Sequence, residues 1–126
     1  MRLCHPKVKF FLVFLLFIFA TPVLADDFLA GTEDVPFMQE LTLLPDETFD
    51  FDTENGRIYF SKATTLIDSA KVLDFYRKTL PQLGWVEKEA GNFVREDDML
   101  RISTTEEHSK KGKTTSVVFE LVTKSK

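Results

Sequence analysis

The dipeptide Asn55-Gly56 constrains this chain more than any other feature. It sits between two segments that alternate in polarity, Phe49-Asp50-Phe51-Asp52-Thr53-Glu54 before it and Arg57-Ile58-Tyr59-Phe60-Ser61 after it. Asn-Gly suits the positive backbone angles of a type I′ turn and alternation on both sides marks strands, so a β-hairpin is expected. A two-residue Asn55-Gly56 loop pairs Glu54 with Arg57, Thr53 with Ile58, Asp52 with Tyr59, Phe51 with Phe60 and Asp50 with Ser61. Phe49, Phe51, Thr53, Ile58 and Phe60 then share one face, expected to be core. Asp50, Asp52, Glu54, Arg57, Tyr59 and Ser61 share the other, expected to face water as in a sheet covered on one side.

Downstream, Asp68 or Ser69 can cap a helix over residues 70–80, with Val72, Phe75, Tyr76, Leu80 and Leu83 at helical spacing. Pro81 should end or kink it, Gly84 suits a left-handed stop, and Trp85 starts the return to strand. Short strand-like runs follow at Trp85–Lys88, Phe93–Arg95 and Met99–Thr104, then a polar loop from Thr105 to Lys113 and a last strand over 114–122. The order β-β-α-β-β-β-β predicts an α+β two-layer domain, one main helix packed on an antiparallel sheet.

The start of the chain reads as an export signal. Arg2, Lys7 and Lys9 precede an unbroken apolar run from Phe10 to Ala20, and Val23 and Ala25 occupy the positions a signal peptidase inspects, with Pro22 just before them. Residues 1–25 are therefore expected to be a cleavable signal peptide cut after Ala25, leaving an amino-terminal arm over 26–48 and a single domain over 49–126. The apolar run of 11 residues is short of the roughly 20 that cross a bilayer, so no stable span is expected after cleavage. The only cysteine is Cys4, ahead of the apolar run; without it the remaining chain can form neither a disulfide nor a thiolate site. About 100 residues then hold one modest core. The expected home is the periplasm, or the exterior, of a bacterial cell.

Charge narrows the partners. After residue 25 the chain carries 13 basic and 20 acidic side chains, a net charge of −7. From Asp26 to Gly56 there are ten acidic residues and no basic one. A surface of this sign argues against nucleic acid or anionic lipid as the principal partner.

The candidate chemistry is thin. Asp50-x-Asp52-x-Glu54 followed by Gly56 is similar to a calcium loop, but position six is Asn55 and position twelve is Ser61 rather than a bidentate Glu. His108, the one histidine after residue 25, sits among Glu106, Glu107, Lys110 and Lys111, where nothing would hold the imidazole or exclude water. Glu106 with His108 makes an incomplete metal set. The pairs Asp97-Asp98 and Glu106-Glu107 are adjacent in sequence, as turns use them, and not opposed as hydrolysis requires. The five glycines, Gly31, Gly56, Gly84, Gly91 and Gly112, are spread singly at element boundaries, so no phosphate loop is present. No catalytic residue, metal site or cofactor follows from these motifs. Phe75, Tyr76 and Trp85 fit core packing better than a ligand groove. Tyr59 differs, because the hairpin register sets it on the polar face opposite Asp52 and beside Arg57, where it fits a contact residue.

Phe75-Tyr76-Arg77-Lys78-Thr79-Leu80-Pro81-Gln82-Leu83-Gly84-Trp85, together with Asn55-Gly56-Arg57-Ile58, Phe93-Val94-Arg95-Glu96 and the Leu100-Arg101-Ile102 strand, resembles an uncharacterised family of small exported alphaproteobacterial proteins. The resemblance spans Val35 to Val122 and centres on the helix-to-strand joint ending Leu-Gly-Trp. It implies a Gram-negative periplasmic home and a compact single domain, and it brings no catalytic residue.

Two functions follow as expectations. The first is a non-enzymatic binding or accessory module contacting another envelope protein through the hairpin's outer face, with Tyr59, Arg57, Asp52 and Asp50 as binding residues, and through an uncovered sheet surface. The alternative is a carboxylate-based hydrolase or a small-ligand or metal carrier using Asp50, Asp52 and Tyr59. An enclosed pocket around a carboxylate favours the alternative; a flat exposed apolar patch favours the first.

Overall fold

The computed structural model describes residues 28, 29, 32 and 35–125. The expected signal peptide and its cleavage point after Ala25 lie outside the described residues. The architecture is a sheet-dominant α+β fold: among the described residues, seven antiparallel strands carry one α-helix on one side. The strands are β1 (Thr42–Leu43), β2 (Phe49–Thr53), β3 (Gly56–Thr65), β4 (Val86–Glu89), β5 (Asn92–Arg95), β6 (Asp98–Ser109) and β7 (Gly112–Lys124), with α1 (Ser69–Thr79) between β3 and β4. Their spatial order is β1-β3-β7-β6-β5-β4, and β2 also pairs with β3. β1 and β2 lie end to end along one edge, since β2 takes the first half of β3 and β1 the second, with a 3-10 turn at Pro45–Glu47 between them.

α1 ends as its sequence requires. Pro81 cannot continue the backbone ladder, and the chain passes through a 3-10 turn at Leu80–Leu83 to Gly84, whose φ of +92° is the left-handed stop that only glycine adopts without strain. The N–H groups of Gly84 and Trp85 return to the carbonyls of Pro81 and Leu80 at 3.1 Å each. That turn drops the Trp85 indole into the core, with the Arg95 guanidinium 4.5 Å from its ring centre as a lid.

The core lies between the helix and one face of the sheet. Val72, Tyr76 and Leu80 descend from the helix onto Phe93, Leu100, Ile102, Val117, Phe119 and Leu121. Tyr76 meets Phe119 edge-on at 5.4 Å, and each large side chain removed from water here contributes about 1.5–3 kcal/mol. Leu29, Val35, Met38 and Leu41 are buried in the same core, so these parts of the expected arm pack as integral structure. Met38 donates its backbone N–H to the Tyr76 hydroxyl at 3.3 Å.

Three expectations are corrected. The β2–β3 register is displaced by two residues: Thr53 pairs with Gly56, Asp52 with Arg57, Phe51 with Ile58, Asp50 with Tyr59 and Phe49 with Phe60. The turn is thus Glu54-Asn55. Neither residue has the positive φ a type I′ turn demands, and Gly56 enters β3 instead.

Shifting by two keeps the same residues on each face but the faces are reversed. Tyr59 and Ser61 are buried beneath the helix-side cover, 5% and 0% exposed, while Phe49 and Phe51 are 46% and 56% exposed on the other side. The cover decides this: Ala63, Thr65 and Tyr59 continue the face on which Val117, Phe119 and Leu121 of β7 are buried. The phenylalanines shelter one another, Phe49 stacking on Phe60 at 4.9 Å and meeting Phe51 at 5.3 Å.

The stretch from Thr105 to Lys113 is not a loop. β6 runs through Ser109 and β7 resumes at Gly112, with His108 paired to Lys113 and Glu106 to Thr115. This ribbon's polar side chains report that little packs on it; they do not report an absence of strand.

Candidate functional site: the open face of the sheet

The residues singled out on the hairpin separate in space. Asp50 and Arg57 form an ion pair, and Asp52 Oδ1 lies 3.8 Å from Arg57 Nε. The Asp50 hydrogen bond first, and its charge second, hold the Arg57 guanidinium above its usual range. All three side chains are open to water. Tyr59 leaves this group for the core, so the expectation that it is an exposed contact residue is corrected. Burial, the largest cause, raises its phenol above the ordinary range, and the Asp50 charge adds to the shift. Its hydroxyl makes no hydrogen bond among the described residues.

The other motifs are dispersed as well. His108 is exposed on the β6 ribbon. Glu106 reaches the start of α1, where Ser69 donates its N–H to Oε1 at 2.9 Å, while Asp68 pairs with Lys113. Among the described residues no three His, Cys, Asp or Glu side chains converge as a metal set, and no helix is long and apolar enough to cross a membrane.

What the strands do assemble is apolar. On the sheet face away from α1, one row of direct cross-strand partners runs from edge to edge: Phe51–Ile58–Val122–Met99–Val94–Val86, one residue from each of β2, β3, β7, β6, β5 and β4. Met99 and Val86 are each more than half exposed, and no described element lies over them. The neighbouring row is Phe49–Phe60–Glu120–Arg101–Asn92, so the aromatic cluster at the β2 edge continues into a charged segment. There Arg101 Nη1 lies 3.9 Å from Glu120 Oε2, and Arg101 Nε donates to Asn92 Oδ1 at 3.2 Å. The next row carries Lys62 opposite Val118, with Lys62 Nζ 3.4 Å from Glu47 Oε1.

Among the described residues a recess of about 50 Å³ lies between Val94, Met99, Arg101, Glu120 and Val122, and a wider, open hollow lies at the β1 end beside Thr42, Thr64 and Thr114. The face is thus an apolar row beside ions already paired with one another.

The row escaped the sequence reading, although a signal was present. Phe93-Val94, Met99-Leu100 and Leu121-Val122 are adjacent apolar pairs inside strands. Successive side chains point to opposite faces, so one member of each pair must emerge on the uncovered side.

The chain matches no protein-family model, no curated protein and no solved structure. The reading of its function accordingly rests on the surface itself.

Proposed function

We propose that this protein is a small exported module of the bacterial envelope that works by contact with a protein surface, through the open face of its sheet. The observation that carries the reading is the unbroken row Phe51–Ile58–Val122–Met99–Val94–Val86 across six strands. Solvent-exposed apolar area of this continuity costs solubility unless something covers it. The Asp50–Arg57–Asp52 group belongs to the opposite, helix-side face of the β2 edge and is no part of that surface. Export accords with the basic, apolar and small-residue sequence of 1–25. The carboxylate-chemistry alternative gains nothing from acids that stand in water, tied to Arg57.

A photo-crosslinking amino acid in place of Met99, with another in place of Lys71 on the helix, tests this in growing cells. Covalent protein adducts at position 99 and none at 71 are expected. No adduct at 99, or equal adducts at both, overturns the reading.

A further inference from the structure

We infer that the occupant of the open face is a second copy of this chain, two sheets packing face to face as a two-fold dimer; this rests on the reading of that face as a contact surface. Three properties of the face point to self-association.

The first is shape. Along the apolar row the face is formed by strand side chains of six adjacent strands, with a shallow recess of about 50 Å³ beside Met99. Such a face fits another sheet face, since two sheet faces pack about 10 Å apart with their side chains interleaved.

The second is charge. The whole chain has a net charge of −4, yet the ionic groups flanking the row pair off locally, Arg101 with Glu120 and Lys62 with Glu47. A face that is neutral within itself can meet its own copy without like-charge repulsion and without burying an unpaired ion. The acidic excess lies elsewhere, including Asp50, Asp52 and Glu54 along β2 and the turn that follows it. There it discourages the competing route, edge-to-edge sheet extension, because β2 beside another β2 would juxtapose aspartates.

The third is extent. β2, β3, β7, β6, β5 and β4 hold 5, 10, 13, 12, 4 and 4 residues, and at about 3.3 Å per residue and about 4.8 Å between strands the whole face measures roughly 750 Å². That is close to what each partner buries in a stable interface. The middle of the row falls between Val122 and Met99, so in an isologous dimer these residues sit next to the two-fold axis and a change at either is felt twice.

The test is sedimentation equilibrium of the protein purified after expression of the full chain, from about 1 to 100 μM. Wild-type protein is expected to move from monomer to dimer across this range. Met99→Lys should weaken association about a hundredfold, tenfold from each copy. Lys71→Glu, on the helix side, should leave it unchanged. Because Met99 is more than half exposed, the variant should keep the wild-type melting curve, measured at a concentration where both are monomeric. A wild-type monomer throughout overturns the dimer, as does a dimer indifferent to Met99→Lys. If crosslinked adducts with other proteins still form at position 99, the contact-surface reading stands while the dimer falls. Adducts absent from 99 remove both.

Discussion

Tyr59 and Asp50 stand opposite each other across the β2–β3 ladder, yet the phenol is buried and the carboxylate stays in water, paired with Arg57. The ladder passes there from beneath the helix-side cover to the exposed end of the sheet. The Tyr59 hydroxyl makes no hydrogen bond among the described residues, so it is desolvated without compensation. Tyr59→Phe is expected to equal or exceed the wild type in stability, by up to about 1 kcal/mol. Tyr59→Ala, which leaves a cavity, should lose about 3 kcal/mol or more. Urea denaturation of the three proteins checks both values. A Phe variant less stable than wild type by a full kcal/mol would mean that the hydroxyl is bonded after all.

Burial raises the pKa of Tyr76 and, less strongly, of Tyr59; at Tyr76 the Met38 N–H partly opposes the shift. A group whose pKa rises on folding holds its proton more firmly in the folded state. Its stabilising contribution is complete below the unfolded value near 10 and is lost as pH climbs through the folded value. Tm should therefore hold from about pH 7 to 9 and decline above about pH 10. Tyr76→Phe should start lower at neutral pH by about 1–2 kcal/mol, because the Met38 N–H loses its acceptor, and decline less steeply in alkali. Parallel alkaline curves for variant and wild type would rule out Tyr76 as the source.

Those tyrosines also mark how far the sequence could be read. Residues whose conformation is set locally were legible: Pro81 and Gly84 end α1 where a helix with those residues must end, and Phe49–Ser61 reads as paired strands from its alternation alone. Which hairpin face is core was not legible, because alternation divides residues into two sets without saying which set a helix will cover. Phe49 and Phe51 belong by hydropathy to an interior, and Ser61, fully buried, to a surface. The decision is made by α1 and by Leu29, Val35, Met38 and Leu41, all outside the hairpin's own sequence. The open-face row was half legible: adjacent apolar pairs required a second apolar face, but its continuity depends on the register of five ladders.

At the amino end of α1 the expected cap is replaced. Asp68 holds the N-cap position but its carboxylate bonds no helix N–H; it turns to Lys113, and Glu106 of β6 accepts from Ser69 N–H. Lys113 Nζ lies 3.5 Å from Glu106 as well, fastening helix start and ribbon together. Removing this acceptor with Glu106→Ala should cost about 1 kcal/mol, within the range of lost helix caps. Glu106→Gln keeps a carbonyl oxygen and should cost less than half of that. Thermal melts of both variants decide it; equal losses would assign the effect to charge and not to the cap.

Gly56 and Asn55 distinguish the observed hairpin register from the one a type I′ turn would impose. In the structure Gly56 begins β3 with φ of +144°, and a Cβ built there would overlap the Thr123 carbonyl oxygen and stand 2.8 Å from Lys124 Cα. Both obstacles are backbone of β7, the strand paired with β3, so neither can rotate away. Gly56→Ala must push β3 and β7 apart or twist the start of one, and should cost about 2 kcal/mol or more. Asn55 has no positive φ and is exposed, so Asn55→Ala should stay within about 0.5 kcal/mol of wild type. A type I′ turn on Asn55-Gly56 would change this pattern, since alanine at Asn55 would then be forced into the left-handed region. Guanidinium denaturation of the two variants reads the register directly: a large loss at 56 with almost none at 55 is the outcome expected of Glu54-Asn55 as the turn, and a comparable loss at both returns the turn to Asn55-Gly56.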